Sequence, residues 1–296
     1  MICRPDYFHC ATCDLYAVVK FYLKVFCSFT KRDFLIMISR LLSFFNFHRY
    51  RNNKYRIKTS MVEDDTGKYI VKVTDNDESM EFLQSIVQKE MLAKKHLLNH
   101  AEVIISSMRG NTLYNAYLDC RNLEELTAAA FNRGSGHYGE SVVKDYVSFI
   151  QKLPCQECIP EEFMQEFEIP RESVTKPLRC LLFGPIDLIP RNILVDKSVW
   201  YIIDHEWTYT FPIPVDFIIY RGIHSLIVHL QQNIQLCNSP DHPLKIYAGY
   251  INKMYIPSIW LNILYSLQLP IQQFSYWEML FQKKIIKNPR RGFLRI

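Results

Sequence analysis

The sequence predicts an α+β protein in which a small antiparallel sheet precedes a larger helical part. Between residues 54 and 118, short runs rich in Val, Ile and Tyr alternate apolar with polar positions and are separated by turn residues, as antiparallel strands do. Beyond residue 122 the apolar residues recur mostly every three or four positions, the pattern of amphipathic helices. The 296 residues are enough for two lobes with a sizeable core. We therefore expect an N-terminal helical extension over residues 1–50, a first lobe over 51–118 and a helical lobe over 119–296.

The composition limits which partners, and which cellular compartment, we expect for the protein. A net charge of +5 is compatible with an anionic ligand or a membrane surface. The aromatic residues fall at core spacing, without the alternation of basic and aromatic residues that favours stacking on nucleic acid, so we expect no nucleic-acid partner. The nine cysteines, an odd number without a signal peptide, indicate free thiols and a cytoplasmic protein. The two Cys-x-x-Cys pairs, Cys10/Cys13 and Cys155/Cys158, lie outside zinc-ribbon spacing, and we interpret them as half-buried apolar residues.

Both ends of the chain combine apolar and basic residues. Residues 15–47 contain two predicted helices with basic residues on one side, and these charges interrupt every run that could cross a membrane. A packed helix pair and a helix lying on a membrane surface both fit this pattern. The C-terminal segment 283–296 carries six basic residues and fits either a solvated terminus or contact with anionic lipid or lipid-linked glycan. A peripheral location at the inner face of a membrane therefore stays open beside the cytoplasm.

The first lobe is predicted to contain two hairpins and a helix. Its four strand patterns, each bounded by turn residues, are 55–62, 68–73, 101–108 and 113–118. Between the two hairpins, residues 78–98 form a helical pattern whose apolar stripe is interrupted by Glu90. A buried carboxylate without a partner is costly, so Glu90 indicates a buried partner nearby.

The helical lobe contains a cluster of polar residues around a short hairpin. Residues 193–195 and 200–203 are predicted strands joined by the turn residues Asp-Lys-Ser. This hairpin would bring Asn192, directly before its first strand, close to Asp204, at the end of its second. Asp187 lies five residues before Asn192. Three oxygen-bearing side chains at one end of a hairpin suit Mg²⁺, which favours oxygen ligands and usually keeps several waters.

Two other features of the sequence are candidate sites. The segment Gly134–Gly139 matches the pattern GxGxxG, but a phosphate-binding loop of that type needs a strand before it to aim its backbone N–H groups. The segment links two predicted helices, and we interpret it as a plain loop. The histidines form no ligand pair on one helical face, since His224 and His229 are five positions apart. His205, beside Asp204, is a candidate substrate contact.

These residues together resemble the protein-kinase-like fold, in particular its branch of aminoglycoside and choline kinases. In that family a catalytic loop of the pattern H-[RG]-D-x-x-P-x-N precedes a hairpin that ends on a metal-binding aspartate. The segment DLIPRN at 187–192 is similar to the loop, and ILVDKSVWYIIDHEW at 193–207 is similar to the hairpin. KYIVKV at 68–73 is similar to the third strand of the fold. The segment 206–222 is also similar to kinase-like segments attached to bacterial glycosyltransferases and methyltransferases of surface-polysaccharide synthesis.

The resemblance implies two lobes, two cofactors and a role for each candidate residue. ATP and Mg²⁺ would be the cofactors. Lys72 would hold the α- and β-phosphates and would form an ion pair with Glu90, while Asn192 and Asp204 would bind Mg²⁺. Asp187 would be the catalytic residue that accepts or orients the proton of the attacking hydroxyl. The implied enzyme is a kinase acting on a hydroxyl of a small molecule or sugar, in cell-surface glycan metabolism.

Three departures from the family pattern leave a second function open. Residues 185–186 are Pro-Ile in place of the His-Arg or His-Gly before Asp187, and no glycine-rich loop precedes Lys72. Asp204 is followed by His205-Glu206 in place of Phe-Gly. The alternative is a catalytically silent kinase-like module that scaffolds a glycan-assembly complex at the membrane surface.

Overall fold

The computed structural model describes residues 46–47, 51–65, 67–74, 76–133, 136–236 and 258–286 of the chain. The two helices predicted at 15–26 and 34–45 lie outside this part, and so does most of the basic C-terminal segment. The described part contains antiparallel sheet and helix, which confirms the predicted α+β class. The division into lobes between residues 118 and 119 stays a prediction.

The elements of the described part are numbered in chain order. The strands are β1 (Asn46–Phe47), β2 (Ile57–Asp64), β3 (Gly67–Thr74), β4 (Glu102–Val103), β5 (Ser107–Arg109), β6 (Thr112–Ala116), β7 (Arg121–Asn122), β8 (Cys155–Cys158), β9 (Leu178–Leu181), β10 (Gly184–Pro185), β11 (Ile193–Asp196), β12 (Val199–Ile202), β13 (Thr208–Tyr209) and β14 (Ile213–Pro214). The helices are α1 (Met80–Leu97), α2 (Leu123–Asn132), α3 (Gly136–Lys152), α4 (Glu161–Glu166), α5 (Val215–Leu236), α6 (Ser258–Tyr265) and α7 (Ile271–Ile285).

The largest sheet has five strands in the order β1-β2-β3-β6-β5, and every neighbouring pair is antiparallel. The predicted pairing of β2 with β3 is confirmed, and their ladder extends to the pair Asp64 and Gly67. Gly67 closes this turn with a φ of +139°, which a residue with a side chain rarely adopts. Lys72 lies on the central strand β3, paired with Thr59 on one side and Leu113 on the other. Its side chain therefore leaves the middle of the sheet.

The predicted strand over residues 101–108 is wrong in part, because it divides between two sheets. Only its last two residues belong to β5, in the five-stranded sheet. β4 pairs in parallel with β12, in a second sheet of order β4-β12-β11-β7. The physical reason is local: Ser106, between β4 and β5, donates its backbone N–H to the Glu90 carboxylate at 2.7 Å and cannot continue a straight strand. β4 thus joins the first half of the chain to the second.

The hairpin predicted in the second half is confirmed as β11 and β12, which pair from Ile193 and Ile202 to Asp196 and Val199. β11 also pairs with β7, and Asn122 at the end of β7 caps α2. The Asn122 side chain accepts from the backbone N–H of Glu125 at 2.8 Å, which satisfies a donor that the first turn of the helix leaves free. The hairpin is therefore held between strands on both sides.

The helices of the second half pack around large aromatic side chains. Phe163 on α4, Phe217 on α5 and Trp277 on α7 are fully buried, and their ring centroids lie 5.4 to 5.9 Å apart. Trp260 on α6 and Phe274 on α7 extend the same core. Among the residues described, no helix combines the length and the apolar character needed to cross a membrane.

Helices α3 and α5 approach closely at Tyr146 and Gly222. A Cβ atom added at Gly222 would lie 2.1 Å from the hydroxyl oxygen of Tyr146, which is fully buried. The same test at Gly139 on α3 places a Cβ 2.7 Å from the ring of Phe131, which is only half-buried and can move. The contact at Gly222 therefore requires a glycine, whereas that at Gly139 does not.

We expect Gly222→Ala to lower the free energy of unfolding by about 3 kcal/mol, since overpacking a core costs about 1–3 kcal/mol and Tyr146 is enclosed. Gly139→Ala is the matched control on α3. It should change stability by less than about 1 kcal/mol, because the better helix propensity of alanine offsets the displacement of Phe131. Urea unfolding followed by circular dichroism measures both. Equal losses in the two variants would contradict the close approach at Gly222.

Candidate active site

The side chain of Lys72 crosses from β3 to the segment that follows β12. Its Nζ donates to Asp204 Oδ1 at 2.5 Å and to Glu206 Oε1 at 2.9 Å. Burial by itself lowers the pKa of Lys72, but the two carboxylates outweigh it and raise that pKa above its ordinary value. Lys72 is therefore a charged, buried cation with two anionic partners.

The predicted ion pair between Lys72 and Glu90 is wrong. Both oxygens of Glu90 instead face Ser106, whose backbone N–H donates at 2.7 Å and whose hydroxyl lies 2.6 Å away. Burial raises the pKa of Glu90, and these hydrogen bonds and the charge of Lys72 offset only part of that increase. Neutral donors thus satisfy Glu90, while Asp204 and Glu206 bind the Lys72 amino group.

Asp187 lies between β10 and the 3₁₀ turn Pro190–Asn192. Its Oδ2 accepts from the backbone N–H of Trp207 at 2.7 Å, and its main-chain oxygen accepts from Asn192 Nδ2 at 3.0 Å. Burial, followed by the charges of Asp204 and Glu206, raises the pKa of Asp187 to about 7. The carboxyl group is thereby fixed in place and close to balance between its two protonation states at neutral pH.

Asp204 is the carboxylate that solvent reaches. Its side chain is 41% exposed, against 7% for Lys72 and 4% for Glu206. Asp204 has a φ of +61°, in the left-handed region, where a non-glycine residue costs about 1–2 kcal/mol although Asp tolerates it better than most. Although part of the Asp204 side chain is exposed, the surrounding protein removes much of its hydration, and this desolvation and the charge of Glu206 raise the pKa of Asp204, while Lys72 opposes them. This strained backbone conformation sets the direction of the Asp204 carboxylate at the end of the hairpin.

The donor set of Asn192 and Asp204 fits a hard divalent cation. Asn192 uses its amide nitrogen on the main chain of Asp187, which orients its side-chain oxygen as the atom free to bind a cation. Its backbone oxygen accepts from Ile203 N at 3.0 Å, one residue before Asp204, so the two side chains belong to the same end of the hairpin. Carboxylate and amide oxygens are the ligands that Mg²⁺ takes in proteins. In the described part of the chain, no cluster of three His, Cys, Asp or Glu ligands forms a metal site made by protein alone.

Sequence reasoning did not assign Glu206 or Arg51 to the site. Glu206 is buried and bridges two cations, with Oε1 on Lys72 and Oε2 at 2.5 Å from Arg51 Nη1. Burial opposes ionisation, but Lys72 and Arg51 hold the pKa of Glu206 well below its ordinary value. Glu206 could have been found from its place two residues after Asp204. Arg51 could not, because no local pattern links it to a residue 155 positions later.

Lys89 is a second basic residue that sequence reasoning missed. Its Nζ donates to the backbone oxygen of Glu206 at 2.6 Å and lies 4.4 Å from the ring centroid of Phe82. Burial lowers the pKa of Lys89 to about 8, against the opposing charges of Asp187 and Glu206. Lys89 and Asp187 bind the same peptide unit, which joins Glu206 to Trp207. Its carbonyl oxygen accepts from Lys89, and its N–H donates to Asp187. Lys89 therefore holds the peptide that orients Asp187.

His205, a candidate substrate contact, is instead a core residue. It is buried, and its ring nitrogen Nε2 lies 3.4 Å from the backbone oxygen of Ile202. Burial lowers the pKa of His205 to about 4, so the ring is neutral at physiological pH. The alternation of side chains along the segment explains this position, because Asp204 and Glu206 face Lys72 and the residue between them faces away.

Comparisons with known proteins add a likeness to solved structures. No protein-family model matches the chain, and a search of curated proteins gave no match. The chain is similar to the solved apoenzyme of macrolide 2'-phosphotransferase MphH from Brachybacterium faecium, at 9% sequence identity and a TM-score of 0.34, over 76% of this chain and 80% of that one. A likeness at this level does not define the function, which is inferred below from the site residues.

A double-mutant cycle tests which carboxylate binds Lys72. We expect Lys72→Met and Glu206→Gln to couple by about 1–3 kcal/mol in the free energy of unfolding, because the two groups share a buried ion pair. Lys72→Met and Glu90→Gln should couple more weakly, since Glu90 binds Ser106 and meets Lys72 only through the longer-range field. Chemical denaturation of the single and double variants measures both terms. A larger coupling for Glu90 would restore the pairing predicted from the sequence.

Proposed function

We propose that this chain is an ATP- and Mg²⁺-dependent phosphotransferase of the protein-kinase-like fold, acting on a hydroxyl of a small molecule or sugar. One observation carries the proposal: Lys72, from the centre of the five-stranded sheet, forms an ion pair with Asp204, 132 positions later at the end of the β11–β12 hairpin. Asp187 and Asn192 lie on the segment that enters the same hairpin and contact each other. Four of the five side chains that the resemblance connects to phosphoryl transfer thus lie close to one end of one hairpin, whereas Glu90 binds Ser106.

Lys72, Asn192 and Asp204 would form the nucleotide side of the site. Phosphoryl transfer needs the charge of the phosphates to be neutralised and their position to be fixed. Lys72 would donate to the phosphates, and Glu206 would keep the amino group in place from the buried side. Asn192 and Asp204 would hold Mg²⁺, which supplies further neutralisation of phosphate charge when it is bound. The exposure of Asp204 leaves this face of the site open to a ligand.

Asp187 would form the acceptor side of the site. The N–H of Trp207 fixes one carboxylate oxygen and leaves the other to accept a hydrogen bond from an incoming hydroxyl. A general base works best when its pKa lies near the operating pH, and the buried, acidic surroundings raise the pKa of Asp187 to about 7. Asp187 would therefore accept or orient the hydroxyl proton as the acceptor oxygen bonds to the γ-phosphorus of ATP and the bond from that phosphorus to the leaving ADP oxygen breaks.

A catalytically silent kinase-like module is the second candidate, and the turn between β2 and β3 favours it. The two strands pair as far as Asp64 and Gly67, so only two residues connect them. Gly67 is the only glycine among residues 1–72, so this turn lacks the composition of a glycine-rich loop that covers the phosphates. That a silent module scaffolds a glycan-assembly complex at the membrane surface stays a prediction. That the enzyme acts in cell-surface glycan metabolism also stays a prediction.

Nucleotide binding separates the two candidates. We expect ATP with Mg²⁺ to raise the melting temperature of the wild-type protein, since a ligand at 100 times its Kd adds about 2.7 kcal/mol of stability. Asp204→Asn should abolish the part of this shift that depends on Mg²⁺. Asp187→Asn should keep the shift and reduce turnover of a hydroxyl acceptor by about 10²-fold or more.

The matched control is Asp196→Asn, which removes an exposed carboxylate from the same hairpin and should change neither quantity. No shift for the wild-type protein at millimolar ATP and Mg²⁺ would exclude the enzyme and favour the silent module. Equal loss of binding in the Asp187 and Asp204 variants would contradict the separate roles assigned to them.

A further inference from the structure

We propose that Tyr146 and Arg221 are positioning residues that fix the backbone on the two sides of Asp187. The inference rests on the proposed phosphotransferase function, in which the place of the Asp187 carboxylate decides the rate. The residues directly before Asp187 are Gly184, Pro185 and Ile186, which offer no polar side chain of their own. Anything that holds this segment through side-chain hydrogen bonds must therefore come from elsewhere in the fold.

Three consecutive backbone oxygens around Asp187 each accept from a side chain. Arg221 on α5 donates through Nη1 to the oxygen of Ile186, and Asn192 donates to that of Asp187. The hydroxyl of Tyr146 on α3 lies 3.0 Å from the oxygen of Leu188. The same hydroxyl lies 3.2 Å from the oxygen of Ile218, so its single proton is shared between the Asp187 segment and α5. The backbone is thus held immediately before, at and after the carboxylate.

Packing fixes the donors themselves. Tyr146 is 1% exposed, and its hydroxyl lies against the backbone of Gly222, where an added Cβ would come within 2.1 Å. Burial raises the pKa of Tyr146 above its ordinary value, so the hydroxyl stays protonated and able to donate. Neither water nor another rotamer can replace this contact in so tight a space. Tyr146 therefore sets a distance between α3, α5 and the Asp187 segment.

Arg221 is held by two further groups on α7. Its Nε donates to Glu278 Oε2 at 2.6 Å, and its guanidinium carbon lies 4.5 Å from the ring centroid of Phe281. Burial raises the pKa of Glu278, but the charge of Arg221 and hydrogen bonds from Arg221 and Gln282 outweigh it and lower that pKa. The ionised Glu278 thereby orients a planar donor, whose remaining N–H reaches Ile186.

We expect these backbone contacts to affect the rate of phosphoryl transfer more than they affect nucleotide binding. A displacement of about 1 Å in a catalytic group can cost about 10²-fold in rate. Lys72 and Asp204 belong to β3 and to the end of β12, and their mutual contact does not involve Tyr146 or Arg221. Loss of a backbone contact at Asp187 should therefore lower kcat and leave the nucleotide side of the site intact.

The primary test is Tyr146→Phe, which removes one oxygen atom and keeps the ring that fills the core. We expect kcat to fall about tenfold or more, with KM for the nucleotide and the thermal shift by ATP and Mg²⁺ unchanged. Hydrogen exchange should become faster in peptides covering residues 184–192 and stay unchanged in those covering 57–74. The matched control is Tyr220→Phe, which removes another buried hydroxyl, one that bonds Ser275 on α7.

Each outcome has a definite meaning. Unchanged kcat and unchanged exchange at 184–192 in Tyr146→Phe would overturn the proposal, as would an equal fall of kcat in Tyr220→Phe, which would indicate a general loss of stability. If the wild-type protein shows no turnover, the proposed function fails, and the exchange measurement alone decides whether Tyr146 holds the segment. Faster exchange confined to 184–192 then supports the structural part, and its absence overturns it.

Discussion

The ion pair of Lys72 with Asp204 and Glu206 is the interaction on which the rest of the site depends. Moving a charged amino group from water into a buried position is costly unless carboxylates compensate it, and removing one partner of a buried pair typically costs about 3–5 kcal/mol. Lys72 lies on the central strand of the five-stranded sheet, while its partners follow β12. The same contact therefore holds the sheet against the hairpin and sets the charge around Asp187. Arg51 completes it by binding the second oxygen of Glu206.

The acidic and basic side chains of the site are equal in number. Within the described part of the chain, three carboxylates lie near three basic side chains: Asp187, Asp204 and Glu206, with Lys72, Lys89 and Arg51. These groups differ in exposure, because Glu206 and Lys72 are buried and Asp204 faces solvent. A bound nucleotide and its cation would replace the contact between Lys72 and Asp204. The contacts of Lys72 and Arg51 with Glu206 would remain. In the proposed function, the buried pair would preorganise the amino group for an anionic ligand.

Sequence patterns predicted the elements better than the contacts between them. Alternating polarity located β2 and β3, short apolar runs on either side of a turn located β11 and β12, and the helical stripe located α1, because these patterns report on each element by itself. The spacing of Asp187, Asn192 and Asp204 also predicted that the three residues lie close together, since a hairpin brings its two ends together without help from other elements, and Asn192 contacts Asp187. Glu90 shows the limit of this reasoning. Its burial was predictable, but its partner is a neutral serine on a bend between two sheets, and only the tertiary structure decides that choice.

The most direct test is a crystal structure of the protein with Mn²⁺ in place of Mg²⁺ and a non-hydrolysable ATP analogue. Anomalous scattering from Mn²⁺ identifies the cation without ambiguity. The account predicts a cation bound by Asp204 and the side-chain oxygen of Asn192, with Lys72 Nζ moved from Asp204 to a phosphate oxygen and Glu206 still paired with Arg51. The contrary result is a crystal grown with millimolar analogue and Mn²⁺ in which neither is bound at this end of the hairpin. In that crystal Lys72 would still contact both carboxylates.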